Sequence, residues 1–206
     1  MDNVIIEKGS CSFQNISSGI FFAHEQYTIY ENEDNLQIIS NVVNFGQQGL
    51  SQNFKYIIGK TQMPKLLNVK ISNKDVVSEI NFNFNKYNIE IKHFNNGNIE
   101  FENLIEFSSK KLIYLFQGAF VVPFYSLWRL DNINFSSDTF QTVPFGELKI
   151  KEINAEGNAI KDYKNVILNI VALDVTDEII LTYRHNSLIE CKFINQDILI
   201  KITNET

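Results

Sequence analysis

Basic residues are in short supply in this chain: 18 lysines and arginines stand against 24 aspartates and glutamates, a formal net charge of −6. A phosphate backbone is held by clustered cations that displace its counterions, and the largest basic cluster here is the pair Lys110-Lys111. Nucleic acid is therefore not an expected partner, and a polybasic anchor for anionic lipid is missing for the same reason. Cysteine is scarcer still. Cys11 and Cys191 are the whole complement, too few for a disulfide framework, and are expected as reduced structural thiols. Three prolines leave no proline-rich linker, and two methionines leave no methionine-rich groove. Gly46-Gln47-Gln48-Gly49 lacks the Lys-Ser/Thr step of a phosphate loop, and no Gly-x-Ser-x-Gly elbow occurs. Of the three histidines, His24, His93 and His185, no two sit at a zinc-ligand spacing. No metal and no cofactor are expected. Met1 to Glu7 has neither the positive start nor the apolar core of a secretory signal. The expected location is thus cytoplasmic, or periplasmic if a leader has been removed.

What the chain has in quantity is strand-forming residues. Seventeen phenylalanines and eight tyrosines join abundant isoleucine and valine, side chains that fit a pleated, half-buried surface. Clusters of turn residues cut this material into strands at Ile20–Glu31, Leu36–Phe45, Asn53–Ile58 and Leu66–Ser72. Ile80, Phe82 and Phe84 alternate with Asn81, Asn83 and Asn85, which puts apolar groups on one face and amides on the other. The apolar phase then moves to Tyr87, Ile89 and Ile91, so a bulge or turn is expected near Asn85-Lys86. Asn95-Asn96-Gly97-Asn98 is the strongest hairpin signal, since Asn-Gly supplies the positive φ values of a type I′ turn. A strand over Phe145–Ile153 and a turn at Asn154–Asn158 precede a closing meander: Val166–Leu173, Glu178–His185, Leu188–Ile194 and Ile198–Ile202.

Leu112 to Leu130 is the most apolar stretch. Gln117, Gly118 and Pro123 interrupt it, so its unbroken apolar runs fall short of the ~18 residues of a membrane span. It reads as a strand to about Leu115, then a short buried helix near 119–130 with Pro123 in its first turn. The expected whole is one mainly β domain over 1–206: a long, strongly curved antiparallel sheet, half-barrel or barrel, with that helix against it. The composition leaves the oligomeric state open.

The order of elements, long hairpin strands, then Gly118–Leu130, then a meander ending in Ile179 to Cys191, resembles the curved half-barrels of the lipoprotein-carrier (LolA-like) class and related uncharacterised bacterial β-domains. The resemblance is one of pattern, without a diagnostic motif. It implies a concave sheet partly filled by a helix, with an apolar ligand in the concavity.

Candidate residues follow from the strand phase. His185 shares a face with Ile179, Leu181 and Tyr183, so Tyr183 and His185 can act as an acid–base pair, or His185 can lie past the core edge at the Asn186-Ser187 turn. Phe120, Phe124 and Trp128 lie in the apolar segment as ligand-facing candidates. Arg129 can pair with a ligand carboxylate, or with Asp131 at the surface. Glu25 and Tyr27 share a face with Phe21, Ala23 and Ile29; they point inward if that face is the inner one, and outward if Phe22 and Tyr30 mark it. Three functions remain open: binding of a hydrophobic small molecule or lipid in the concavity, a cofactor-independent cyclase or isomerase acting by confinement, and a structural protein with a filled core.

Overall fold

A computed structural model of the chain describes residues 3–45, 50–60, 64–74, 76–106, 112–115, 121, 137–141, 149–156, 165–172, 175–184 and 187–205. The first half is a run of antiparallel neighbours: β1 (Val4–Asn15), β2 (Phe21–Glu31), β3 (Asn35–Asn44), β4 (Ser51–Gly59), β5 (Pro64–Asn73), β6 (Val76–Phe84), β7 (Asn88–Asn95) and β8 (Asn98–Glu106). The second half supplies β9 (Leu112–Leu115), β10 (Ser137–Gln141), β11 (Lys149–Glu156), β12 (Asn165–Ala172), β13 (Val175–Arg184), β14 (Ser187–Phe193) and β15 (Ile198–Glu205). All belong to one 15-stranded sheet in the order β8-β7-β6-β5-β4-β3-β2-β1-β15-β14-β13-β12-β11-β10-β9. The two meanders join at β1–β15, where Cys11 lies opposite Ile202 and Phe13 opposite Ile200.

This order forces curvature. Laid flat at about 4.8 Å per strand, the sheet would hold β8 and β9 roughly 67 Å apart. Yet the chain leaves β8 at Glu106 and enters β9 at Leu112, and so short a connection spans at most about 21 Å. The sheet must curl until its two ends come near each other. It remains open, since no ladder joins β8 to β9 among the described residues.

Curling gives the sheet a buried inner face and a wet outer one. Inside lie Ile29, Ile38, Leu67, Phe82, Ile89, Ile91 and Leu181, all without solvent contact. Each such side chain contributes about 1.5–3 kcal/mol by leaving water. Outside, the asparagines bond across strands: Asn41 Nδ2 donates to Asn53 Oδ1 at 2.6 Å, and Asn68 Nδ2 to Asn81 Oδ1 at 2.5 Å. Lys92 sits between Glu90 and Glu102 at 3.0 and 2.7 Å.

The expected hairpin at Asn95–Asn98 forms, with φ of 47° at Asn96 and 83° at Gly97. The phase change near Asn85-Lys86 is a turn, in which the Asn85 N–H donates to the Asn88 carbonyl at 2.8 Å. Several expectations need correction. The sheet is not wholly antiparallel, because β9 and β10 pair in parallel. Strands β1 and β10 went unread, β11 runs through Asn154 to Glu156 where a turn was expected, and β13 begins at Val175 instead of Glu178. The helix expected near 119–130 finds no support. Of that span Val121 alone is described, and the rest lies outside the described residues.

Gly9, at the middle of β1, lies opposite Tyr27, whose ring crosses it. A Cβ there would sit 2.5 Å from the Thr203 carbonyl oxygen and 2.7 Å from the Tyr27 hydroxyl oxygen. Gly9→Ala should therefore lower stability by about 1–3 kcal/mol, read as a fall in the urea midpoint. An unchanged midpoint would mean that Tyr27 does not rest on Gly9.

Candidate functional site

Of the two faces open to β2, the fold turns Ala23, Glu25, Tyr27 and Ile29 inward and leaves Phe22 and Tyr30 half-buried. Strand register moves all alternate residues together, so three apolar side chains carry one carboxylate in with them. Glu25 is 0% exposed and Tyr27 2%. A buried carboxylate requires hydrogen-bond donors around it. The Ser40 hydroxyl donates to Glu25 Oε1 at 2.5 Å, and the Val121 N–H points at both oxygens, 3.3 and 3.4 Å away. Val121, from the sequence between β9 and β10, is itself fully buried. Val121 therefore lies at the inner face, held there through Glu25.

Across the ladder from Glu25 stands Cys11. Burial pushes its thiol pKa well above the ordinary 9.0, and the neighbouring Glu25, Cys191 and Glu7 push it further. Cys191 faces Ile200 on the far side of β15, as Cys11 faces Ile202. With β15 between them, two strand spacings of about 4.8 Å each separate the cysteines, beyond the reach of a disulfide, and both are present as thiols. One pair along β2, the Tyr27 hydroxyl lies 3.1 Å from Glu7 Oε1 and 2.8 Å from Asn204 Oδ1, with its proton directed between them.

One rim of the sheet is apolar and exposed. The β1–β2 turn, the start of β2, the end of β3 and the β14–β15 turn converge there, presenting Ile16, Ile20, Phe21, Phe45 and Ile194. Phe21 and Phe45 are 56% and 58% exposed. Behind them Phe22 and Phe13, ring centroids 6.2 Å apart, lead to the core. The two turns are clipped together: the Ser17 N–H donates to Asp197 Oδ1 at 2.9 Å, and the Ser17 hydroxyl to Asp197 Oδ2. Ile16 to Phe21 contains no charged residue.

Of the residues singled out from sequence, Glu25 and Tyr27 come together on the inner face. Phe120, Phe124, Trp128, Arg129 and His185 lie outside the described residues; Tyr183 is described only in its backbone, within β13. Cys11 and Ser40 were missed as neighbours of Glu25. Ser40 had a legible signal, a small hydroxyl among the alternating apolar residues Ile38 and Val42. Cys11 had little, because β1 is poor in aromatic residues. Among the described residues there is no group of three potential metal ligands, and no helix long and apolar enough to cross a membrane.

No family model matches the chain, and no curated protein matches its sequence. Among solved structures it is similar to a β-barrel-like protein of a domain of unknown function, DUF1849, from Brucella abortus. Identity is 6%, the TM-score is 0.49, and the match covers 98% of this chain and 97% of the other. That protein is described as β-barrel-like and of unknown function.

The inner face holds three acids that the fold keeps neutral. Tyr27 and Tyr56 are pushed well above the ordinary phenol value of 10.0, Tyr27 by burial and then the Glu7 charge, Tyr56 by burial alone. With Cys11, each holds its proton to higher pH folded than unfolded. Their stabilising contribution is complete below pH 9 and is lost as pH rises past the ordinary values. The urea midpoint should thus hold steady from pH 7 to 8.5 and fall between pH 9 and 11. A flat profile to pH 11 would contradict their burial.

Proposed function

We propose that this protein binds an apolar small molecule or lipid within its curled sheet, entering at the rim of Ile20, Phe21 and Phe45. The observation that carries this reading is Glu25: a wholly buried carboxylate on a mostly apolar face, bonded to a residue from outside the local strands. Ligand sites are concave and mostly apolar, with a few placed polar groups. Two further features support it. Barrels of about eight strands fill with their own side chains, whereas wider ones leave interior space, and this sheet has 15 strands. The exposed apolar rim also runs without a break into the core through Phe22 and Phe13. The mode of binding is that of the lipoprotein-carrier half-barrels the sequence resembles, an apolar ligand in a concavity. Glu25 acts as a latch on Val121 through its backbone N–H.

Titration with a fluorescent polyene fatty acid should show saturable binding at one site. Replacing Phe21 and Phe45 together by serine should weaken it about tenfold, or ~1.4 kcal/mol. Glu25→Leu, which removes the latch acceptor, should alter affinity while Glu25→Gln, which keeps one carbonyl acceptor, should alter it less. The proposal fails if the folded protein shows no saturable binding and native mass spectrometry finds no co-purified lipid.

A further inference from the structure

Ser78, His93 and Glu100 come from three consecutive strands, β6, β7 and β8, some way from Glu25 in the strand order; Ser78 and His93 face inward, and the exposed Glu100 lies beside His93. His93 lies opposite Ile80, a core residue, so its ring points inward; the ring reaches diagonally to Ser78, whose Oγ is 2.7 Å from Nε2. On the other side of the ring, Nδ1 is 3.6 Å from Glu100 Oε2. Strict alternation would send Glu100 to the outer face. The β7–β8 ladder instead pairs His93 with Phe101 and Phe94 with Ile99, leaving Glu100, 47% exposed, as the extra residue of a bulge. Bulges re-aim side chains, and this one turns the carboxylate towards His93. The Asn95 amide fixes it there, Nδ2 donating to Glu100 Oε1 at 2.6 Å.

The chemistry of the three groups sets their roles. A carboxylate only accepts, so the tautomer suited to the nearby Glu100 carries its proton on Nδ1 and leaves Nε2 as acceptor for the serine hydroxyl. That is a nucleophile, a base and an orienting carboxylate in sequence, a constellation recognised by geometry and not by chain order. Ser78 is 8% exposed, and the side chains of His93 and Glu100 are 25% and 47% exposed, so solvent reaches the His93 end of the cluster. Beside it, Asn95 Oδ1 is buried and has no hydrogen-bond partner among the described residues. Its amide cannot be flipped, since that would set oxygen against the Glu100 oxygen. A buried acceptor of this kind calls for a donor, and a bound substrate can supply one.

We propose that Ser78, His93 and Glu100 form a reactive-serine site that accepts acyl groups from small esters, with Asn95 Oδ1 receiving a donor group of the substrate. The serine oxygen attacks the ester carbonyl as its proton passes to His93 Nε2. The ester C–O bond breaks, and the leaving alkoxide takes that proton. Water then attacks the acyl-serine, giving up a proton through His93, and releases the carboxylic acid and the free hydroxyl.

The probe is a fluorophosphonate, which phosphonylates an activated serine with loss of fluoride, and peptide mass spectrometry locates the adduct. Folded wild-type protein should be labelled at Ser78 in preference to its other serines. His93→Ala should slow labelling by about 100-fold or more, as loss of a general base does, and Glu100→Gln by less. Urea-unfolded wild type needs no variant: there Ser78 should label no faster than any other serine. An absent adduct at Ser78, equal labelling of folded and unfolded chain, or a rate indifferent to His93 would each overturn the proposal. p-Nitrophenyl acetate turnover lost in Ser78→Ala would complete the case, and turnover kept in that variant would defeat it.

Discussion

Only five residues, 107–111, separate β8 from β9, and these are the end strands of a 15-stranded sheet. That covalent constraint is what the rest of the structure depends on. A sheet whose ends are tied together within about 21 Å cannot lie flat, and it cannot stack into two separate layers without first bending round. Curvature then decides which face is dry. Once one face is enclosed, every strand has to present alternate residues to it, and each polar residue on that phase must find a partner inside.

Glu25 is the clearest consequence. Its neighbours on the same phase, Ala23, Tyr27 and Ile29, gain enough from burial to take the carboxylate with them. The cost of burying a charged or polar group is offset by Ser40 on β3 and by the Val121 backbone. The same group raises the Cys11 pKa across the ladder and reaches the segment between β9 and β10. A residue that looks like a defect in an apolar face thereby joins the N-terminal meander to a distant part of the chain. Tyr27 does similar work beside it, resting on Gly9 and bridging Glu7 and Asn204.

Most strands were legible because period-two alternation and asparagine-rich turns are local signals. Ile80, Phe82 and Phe84 against Asn81 and Asn83 needed no tertiary information, nor did Asn96-Gly97. The order of the strands was not legible, since the pairing of β1 with β15 joins residues nearly 200 positions apart and leaves no local trace. β1 itself escaped notice because Glu7, Lys8, Gly9 and Ser10 break its apolar pattern, and only its central place in the sheet explains why it is a strand. The inward turn of Glu25 was an even choice from sequence for a related reason: Phe22 and Tyr30 are as apolar as Ala23 and Ile29, and the neighbouring strands decide between them. The reach of Ser78 to His93 was invisible too. It needs a diagonal across two strands and a one-residue bulge at Glu100, and neither has a composition of its own.

The two ends of this account rest on the same geometry. An enclosed apolar face underlies the proposed entrance at the rim of Phe21 and Phe45, and the strands near the open β8 edge supply a second polar cluster. Small-angle X-ray scattering of the protein tests the curl itself. A curled, compact chain of 206 residues should have a radius of gyration of about 17 Å. A value above roughly 20 Å, with a longest dimension near the ~67 Å of a flat sheet, would contradict the strand order and with it the enclosed interior.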